Sequence, residues 1–181
     1  MRTKIGVMGS AAPDSTRLDA GTGLVEKAEQ LGRAIAKREV VLFSGATTGI
    51  VYVVGKAAHD AGCFHVGVSP ASNKEEHVEH YKLPLDACDT VVYTGFGLKG
   101  RNVVLVRSCD VVLFVAGAMG SLNEFTIAHD EGKIIGCLTG TGGVAGEADY
   151  LLQKFGKRAT NSRVFQNSDP DELLDQCLQS T

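Results

Sequence analysis

Short apolar runs alternate with helical stripes along nearly the whole of this 181-residue chain. The runs are apolar at successive positions, which is typical of strands buried on both faces of a parallel sheet. We predict strands at Ile5–Met8, Val40–Phe43, Phe64–Val68, Thr90–Tyr93, Val111–Val115 and Ile134–Leu138, and leave open a short seventh strand near Val164–Phe165.

The segments between these runs carry apolar residues at the spacing of amphipathic helices. The stripes are Leu24, Ala28, Leu31 and Ile35; Ile50, Val53, Val54, Ala57 and Ala61; Leu122, Phe125 and Ala128; and Ala148, Leu151, Leu152 and Phe155. Residues 168–172 supply a cap and a first-turn proline for a last helix. The alternation predicts one α/β domain over residues 1–181, with a doubly wound, mainly parallel sheet of six or seven strands and helices on both faces. We expect the irregular segment 70–88 to cross from one half of the sheet to the other.

The residues that follow each predicted strand are rich in glycine and hydroxyl side chains. These loops are 9–11, 44–49, 69–72, 94–101, 116–121 and 139–143. Parallel strands end on one edge of a sheet, and open α/β sheets bind ligands in the crevice beyond that edge. Glycine also suits short connections, so part of the enrichment needs no ligand. Together, the loops favour an anion-binding rim built from backbone amides.

The most informative segment is 111–124, in which an apolar strand leads through a glycine turn into a helix that carries Glu124. Amides in the first turn of a helix lack intrahelical partners and carry partial positive charge, which suits a phosphate. Glu124 is therefore a candidate catalytic carboxylate beside an anion site. The spacing from Ser121 to Glu124 equally fits a capping box, in which both side chains satisfy helix amides. These residues alone leave catalysis and capping open.

Arg101 lies at the same rim, where we predict that a helix opens. An arginine gains nothing from the dipole at a helix N-terminus, so its position favours an anionic partner over a solvent-facing role. A guanidinium can bind a phosphate or a carboxylate through two hydrogen bonds. By contrast, His77 and His80 fall in a charged run, and we predict a solvated face there rather than a metal site.

Charge and composition argue against several classes of function. The formal net charge of −3 is unsuited to general binding of nucleic acid or of an anionic membrane. We see no apolar run of membrane-spanning length and no signal-peptide core after Met1. Five scattered cysteines without a CxxC pair predict reduced, mostly buried thiols in a cytoplasmic protein. The sequence shows no Walker lysine motif, nucleophile elbow, dinucleotide-binding glycine motif or cysteine metal site.

The segment Ala116-Gly-Ala-Met-Gly-Ser-Leu-Asn-Glu124 resembles the Pro-Gly-Gly-x-Gly-Thr-x-x-Glu signature of the Lonely Guy (LOG) proteins. It is also similar to the related molybdenum-cofactor carrier proteins. Residues 100–110 resemble the segment with the family's essential arginine, and residues 44–50 resemble its early glycine turn. The likeness covers roughly residues 4–140.

This resemblance implies a Rossmann-like fold, a homodimer, and a nucleotide or pterin ligand at the strand ends. LOG enzymes hydrolyse the N-glycosidic bond of a nucleoside 5′-monophosphate to free base and ribose 5-phosphate, with no metal or redox cofactor. The resemblance implies that Arg101 and Glu124 form the catalytic pair. With the strand-end loops, it predicts the ligand-binding residues Gly9, Ser10, Gly45, Thr47, Thr48, Gly49, Gly117, Ala118, Met119, Gly120 and Ser121.

The chain departs from the LOG signature at four positions. Alanine replaces proline at 116 and glycine at 118, serine replaces threonine at 121, and asparagine replaces a common acidic residue at 123. We expect the methyl group of Ala118 to hinder a left-handed backbone or to crowd a phosphate. The loop 94–99 and the segment 100–102 look closer to the carrier branch, which is thought to hold its ligand without turnover. Two functions stay open: a phosphoribohydrolase for nucleoside monophosphates, and a non-catalytic carrier of molybdenum cofactor or of a nucleotide.

Overall fold

Seven strands form one parallel sheet in the computed structural model, which describes residues 1–11 and 23–181. The strands are β1 (Thr3–Gly9), β2 (Val40–Ser44), β3 (His65–Ser69), β4 (Thr90–Tyr93), β5 (Val111–Val115), β6 (Ile134–Leu138) and β7 (Arg163–Asn167). Their order is β4-β3-β2-β1-β5-β6-β7, and all neighbours pair in parallel. The predicted α/β class and parallel sheet are confirmed, and the strand left open exists as β7.

A helical segment follows each strand along the chain. The helices are α1 (Leu24–Ala36), α2 (Ile50–Asp60), α3 (Gly97–Ser108), α4 (Met119–Asp130), α5 (Gly143–Gly146), α6 (Ala148–Phe155) and α7 (Pro170–Leu178), and a π-helical turn (Glu76–His80) follows β3. The last helix begins as predicted, because the Asp169 side chain accepts a hydrogen bond from the Glu172 amide at 3.0 Å and Pro170 occupies the first turn.

The central strands bury both of their faces, because alternate residues point to opposite sides of a sheet. In β5, Val111, Leu113 and Val115 belong to the core formed with α1, α2 and α7. Val112 and Phe114 belong to the core formed with α3, α4, α5 and α6. Helices on both faces therefore explain why this strand is apolar at every position.

The segment 70–88 does not cross the sheet, so that expectation is wrong. It joins β3 to β4, and these strands are neighbours at one edge of the sheet. The crossing is made by α3, which leads from β4 at that edge to β5 beside β1. The chain thus winds away in opposite directions from β1 and β5, and the gap between their carboxyl ends is the switch point at which such sheets bind ligands.

His77 is fully buried, so the prediction of a solvated face is wrong for this residue. The π-helical turn directs it inward, where its Nδ1 lies 2.8 Å from the Ser69 hydroxyl and its Nε2 lies 3.2 Å from the Pro84 carbonyl. Both ring nitrogens have hydrogen-bond partners in these contacts, which offset the cost of burying the imidazole. His80 is exposed as predicted.

Four of the five cysteine side chains are buried, and all five are free thiols. Burial raises the pKa of Cys109 and of Cys137 to about 12, which keeps both as unreactive thiols. Across residues 1–11 and 23–181, His, Cys, Asp and Glu side chains form no group of three that could hold a metal ion. Within the same ranges, none of the helices has the length and hydrophobicity required to span a bilayer.

Candidate ligand-binding site

A cavity of about 190 Å³ lies at the carboxyl edge of the sheet, over the switch point between β1 and β5. Its walls come from the ends of β1 and β2, from α3, and from the turn that opens α4. The lining residues are Val7, Met8, Gly9, Ser10, Ala11, Gly45, Thr47, Val51, Leu98, Lys99, Arg101, Asn102, Ala118, Gly120, Ser121 and Glu124.

The two predicted catalytic residues meet in this cavity. Arg101 Nη1 donates a hydrogen bond to Glu124 Oε1 at 3.3 Å, and the two side chains are only 7% and 8% exposed. Arg101 does not open its helix as we expected, because α3 begins at Gly97 and Arg101 lies in its second turn. The anionic partner inferred for Arg101 is, within the protein, Glu124.

The guanidinium of Arg101 also packs closely against Gly45. A Cβ atom built on Gly45 would be 2.6 Å from both Cζ and Nη2 of Arg101, a distance that real side chains do not tolerate. Glycine is therefore required here for close approach rather than for an unusual backbone angle. The end of β2 and the second turn of α3 are locked together by this contact.

Glu124 does not cap its helix, so the capping-box interpretation is wrong. Helix α4 begins at Met119, with Ala118 as its N-cap, which is three residues earlier than a capping box starting at Ser121 requires. Ser121 consequently lies in the first turn of the helix, and Glu124 lies in the second. Neither side chain is used to satisfy the helix end, and Glu124 is free to contact Arg101.

Burial raises the pKa of the Glu124 carboxyl to about 7, although the positive charges of Arg101 and Lys99 act in the opposite direction. Burial lowers the pKa of Arg101, an effect that the Glu124 charge opposes. The guanidinium stays protonated at physiological pH in any case. The site therefore holds a permanent cation beside a carboxyl that exchanges its proton near neutrality, which is the property required of a general acid or base.

Asn102 adds a second donor to Glu124. Its amide is best oriented with the nitrogen toward the carboxylate, because it then donates to Glu124 Oε1 at 3.1 Å and to the Leu98 carbonyl at 3.0 Å. The Asn102 oxygen then lies 2.8 Å from Asn123 Oδ1, and the Asn123 amide must be turned in the same way for its nitrogen to donate to that oxygen. Asn123 lies at the position where LOG proteins commonly carry an acidic residue. It contacts the Asn102 amide instead of adding a negative charge.

Two buried polar atoms of the cavity wall have no hydrogen-bond partner among the described residues: Arg101 Nε and Ser121 Oγ. The first amides of α4, including those of Gly120 and Ser121, also lack intrahelical acceptors. Lys99 supplies a further positive charge near this helix end, since its Nζ would lie 3.4 Å from a Cβ atom on Gly120. These donors and cations form a set suited to an anion.

The turn before α4 places its left-handed residues at Ala116 (φ 52°) and Gly117 (φ 104°). Ala118 is extended (φ −123°), so the expectation that its methyl group would hinder the turn is wrong. Thr141 accepts a hydrogen bond from the Ala116 amide at 2.9 Å, and Ser10 accepts one from the Gly117 amide at 3.2 Å. The turn is therefore held by side chains from two neighbouring loops.

Nine of the predicted site residues line the cavity, and four do not. Those lining it are Gly9, Ser10, Gly45, Thr47, Arg101, Ala118, Gly120, Ser121 and Glu124. Thr48 donates instead to the Ala11 carbonyl at 2.8 Å, and Gly49 (φ 76°) packs against Ser10. Gly117 shapes the turn, and Met119 is 75% exposed. Ligand binding by any of these residues stays a prediction.

Sequence reasoning missed three lining residues on α3, namely Leu98, Lys99 and Asn102. Leu98, Arg101 and Asn102 are spaced three and four residues apart, which places them on one face of a helix. That spacing was visible in the sequence. The spacing indicates a shared helix face only if the helix includes Leu98, and a helix that begins at Arg101 does not include it.

Comparison with known proteins identifies the family. The SLOG cluster4 family matches residues 2–174. The chain belongs to the SLOG cluster4 family. A relative from Archaeoglobus fulgidus, known only as an uncharacterized protein, is 27% identical over 154 residues and covers 85% of each chain.

Two solved structures are similar over almost their full length. The structural-genomics target TM1055 is 26% identical, with a TM-score of 0.81 and coverage of 99% of both chains. The molybdenum cofactor binding protein from the phototrophic bacterium Rippkaea orientalis is 26% identical, with a TM-score of 0.71 and coverage of 99% of this chain and 97% of the other. The predicted resemblance of this SLOG cluster4 chain to the LOG and molybdenum-cofactor carrier proteins is confirmed.

Proposed function

We propose that this SLOG protein binds a phosphorylated small molecule of the nucleotide or pterin type in the cavity at the switch point. The observation that carries the proposal is the pair of buried polar atoms, Arg101 Nε and Ser121 Oγ, that find no partner among the described residues. Leaving such a group unsatisfied costs about 1–3 kcal/mol. A ligand that accepts hydrogen bonds from both would recover that cost on binding.

The phosphate group would occupy the end of the cavity formed by the first turn of α4. Gly120 and Ser121 would donate through backbone amides and the serine hydroxyl, and Lys99 would balance the charge. Arg101 would donate through Nε to the phosphate or to a neighbouring hydroxyl while Nη1 keeps its bond to Glu124.

Carriage of molybdenum cofactor, a phosphorylated pterin, is the first candidate for the biological role. The similarity to the Rippkaea orientalis molybdenum cofactor binding protein over nearly the whole chain supports it. In this role the cofactor is cargo, and the Arg101–Glu124 pair would hold it without chemistry. Glu124, when protonated, would act as a hydrogen-bond donor to a pterin nitrogen or carbonyl.

Hydrolysis of a nucleoside 5′-monophosphate is the second candidate, and the geometry of Glu124 favours it. A carboxyl beside a fixed guanidinium, with a pKa of about 7, can exist as the carboxylate at neutral pH. As the bond to the base breaks, the ribose gains oxocarbenium character, which a carboxylate stabilises while it orients a water molecule. Arg101 would align the substrate through its hydroxyl or phosphate oxygens.

The binding proposal is tested by Ser121→Ala with AMP and inorganic phosphate as probes. Because the hydroxyl has no hydrogen-bond partner in residues 1–11 and 23–181, its loss should leave the protein as stable as the wild type or more so, while affinity for the probe falls. Ser108→Ala is the matched control. Ser108 does not line the cavity, and its Oγ donates a hydrogen bond of 2.7 Å to the Val104 carbonyl. The control should lose about 1 kcal/mol of stability and no affinity. Unchanged affinity in Ser121→Ala would contradict the assigned site.

Carriage and hydrolysis are separated by mass spectrometry of small molecules that copurify with the protein, followed by incubation with a panel of nucleoside monophosphates. A copurifying molybdopterin and no release of base would support carriage. Release of base would support hydrolysis, and Glu124→Gln should then abolish release while leaving nucleotide binding largely intact. If the wild type releases base from none of the common monophosphates, the hydrolase candidate is wrong. The homodimer stays a prediction, which sedimentation showing only monomer would refute.

A further inference from the structure

A buried serine–histidine pair lies beneath the cavity at the end of β2. Ser44 Oγ is 2.8 Å from Nε2 of His65, and the Nδ1 atom of the same ring contacts the carbonyl of Ala87. Both residues are buried, and neither lines the cavity. The binding proposal above gives these two residues no role.

The direction of each hydrogen bond follows from the groups involved. The Ala87 carbonyl can only accept, so Nδ1 of His65 carries the proton. Burial lowers the pKa of His65 to about 4, so the ring is neutral at physiological pH and its Nε2 accepts. The Ser44 hydroxyl must then donate to Nε2, which leaves its oxygen free to accept the Ala46 amide at 3.2 Å.

The Ala46 amide is the link from this pair to the ligand site. Ala46 has a left-handed backbone (φ 48°), which a non-glycine residue adopts only when its surroundings hold it there. The preceding residue is Gly45, whose backbone lies against the Arg101 guanidinium with no room for a side chain. The position of Arg101 beside Glu124 therefore depends on the turn that the Ser44 hydroxyl fixes.

We propose that Ser44 and His65 are positioning residues that act through the Gly45–Ala46 turn to hold the Arg101 guanidinium against Glu124. The inference deepens the proposed function, on which its biological meaning rests. Neither residue touches the ligand. The hydrogen bonds that run from Ala87 through His65 and Ser44 to Ala46 fix the backbone of the turn, and the guanidinium packs against Gly45 in that turn.

The neighbouring strand carries a second pair of the same kind, and it provides a matched control. Ser69 at the end of β3 contacts His77 at 2.8 Å and accepts the Ala71 amide at 3.0 Å. This turn has the same sequence spacing, Ser-x-Ala, but no residue from 69 to 72 lines the cavity. Removing either hydroxyl therefore breaks equivalent bonds. The Ser69 turn contacts the start of α3, because the Pro70 and Ala71 carbonyls accept the Gly97 and Gly95 amides. Only the Ser44 turn lies directly against the Arg101 guanidinium, so only the loss at Ser44 should displace it.

The test measures the pKa of Glu124 in the ligand-free protein by NMR of ¹³C-labelled glutamate carboxyls, with the signal assigned from its absence in Glu124→Gln. The wild type should titrate at about 7. In Ser44→Ala the pKa should rise by about one unit, because the guanidinium that lowers it is no longer held in place. Ser69→Ala should leave it unchanged. The readout needs no ligand, so it can succeed or fail independently of the proposed function.

A second variant distinguishes positioning from general damage to the core. Glycine adopts a left-handed backbone without support, so Ala46→Gly introduced into Ser44→Ala should restore the pKa of Glu124 toward the wild-type value. A simple packing defect at Ser44 would not be repaired by removing a methyl group. An unchanged pKa in Ser44→Ala, an equal rise in Ser69→Ala, or a failure of Ala46→Gly to restore the value would each overturn the inference.

Discussion

Replacing Glu124 by glutamine should change how the stability of the protein depends on pH. Burial raises the pKa of this carboxyl from its ordinary value of 4.5 to about 7. Between those values the unfolded chain has released a proton that the folded chain still binds. The stabilisation is thus fully present below pH 4.5 and is lost as the pH rises through about 7. At about 1.4 kcal/mol per pH unit, the interval corresponds to about 3 kcal/mol of the free energy of unfolding.

His65 titrates in the opposite sense and would obscure this effect in the wild type alone. Burial lowers its pKa from 6.5 to about 4. The stability associated with neutral His65 is present above pH 6.5 and is lost as the pH falls through about 4. The two contributions largely offset each other between about pH 4.5 and pH 6.5. The difference between wild type and Glu124→Gln removes the His65 contribution, because both proteins share it.

The assay is urea denaturation of both proteins at several pH values from about 4.5 to about 8. Relative to the wild type, the glutamine variant should gain about 3 kcal/mol over this range, whatever its absolute stability. Glu75→Gln is the control, since Glu75 is exposed, and its difference from the wild type should stay nearly constant. A constant difference for Glu124→Gln would show that the carboxyl is not desolvated in solution and would refute the reasoning from burial.

Three further substitutions test the surroundings of the Arg101–Glu124 pair. Gly45→Ala places a Cβ 2.6 Å from Cζ of Arg101, so we expect the guanidinium to be displaced. The affinity for AMP, measured by calorimetry, should then fall about tenfold or more. An unchanged affinity would count against the close contact. Arg101→Met should cost little stability at pH 5, where Glu124 is protonated in both proteins. At pH 8 it should cost about 1 kcal/mol more, because the wild-type carboxyl, with a pKa of about 7, ionises beside its cation and the carboxyl of the variant does not; equal losses at the two pH values in urea denaturation would contradict this. Ala116→Pro should destabilise the fold by roughly 3 kcal/mol, because proline cannot adopt a φ of 52° and lacks the amide that donates to Thr141. Thermal melts measure this loss, and a wild-type melting temperature would show that the turn can rearrange.

The strands were predictable because residues that are apolar at every position indicate a strand buried on both faces. Continuous apolar runs at 111–115 and 134–138 need cover on both faces, and helices on both faces supply it. The glycine loops then indicated the ligand-binding edge without any coordinates, because parallel strands end together. The path of 70–88 was not predictable, since nothing in a polar connection specifies which strand it precedes in the sheet.

The site was predicted in its main residues and misjudged in its local geometry. Arg101 and Glu124 were identified from their segments, but the starts of α3 and α4 were each placed too late. Neither helix has a side-chain cap at its N-terminus, and without a capping residue the sequence does not mark where a helix begins. The same error produced the false capping box at Ser121 and hid Asn102. The Ser44–His65 pair joins two strands and could be found only once β2 and β3 were seen to be neighbours.

The cavity wall has one side that cannot change and one that can. On the sheet side it includes two glycines that cannot carry a side chain, since a Cβ at Gly45 would lie 2.6 Å from Arg101 Cζ and one at Gly9 would lie 2.8 Å from Ile50. On the α3 side it includes Leu98 and Lys99, which are both exposed. Relatives that diverge in what they accept should therefore differ at these two positions of α3, while the sheet side keeps its two glycines.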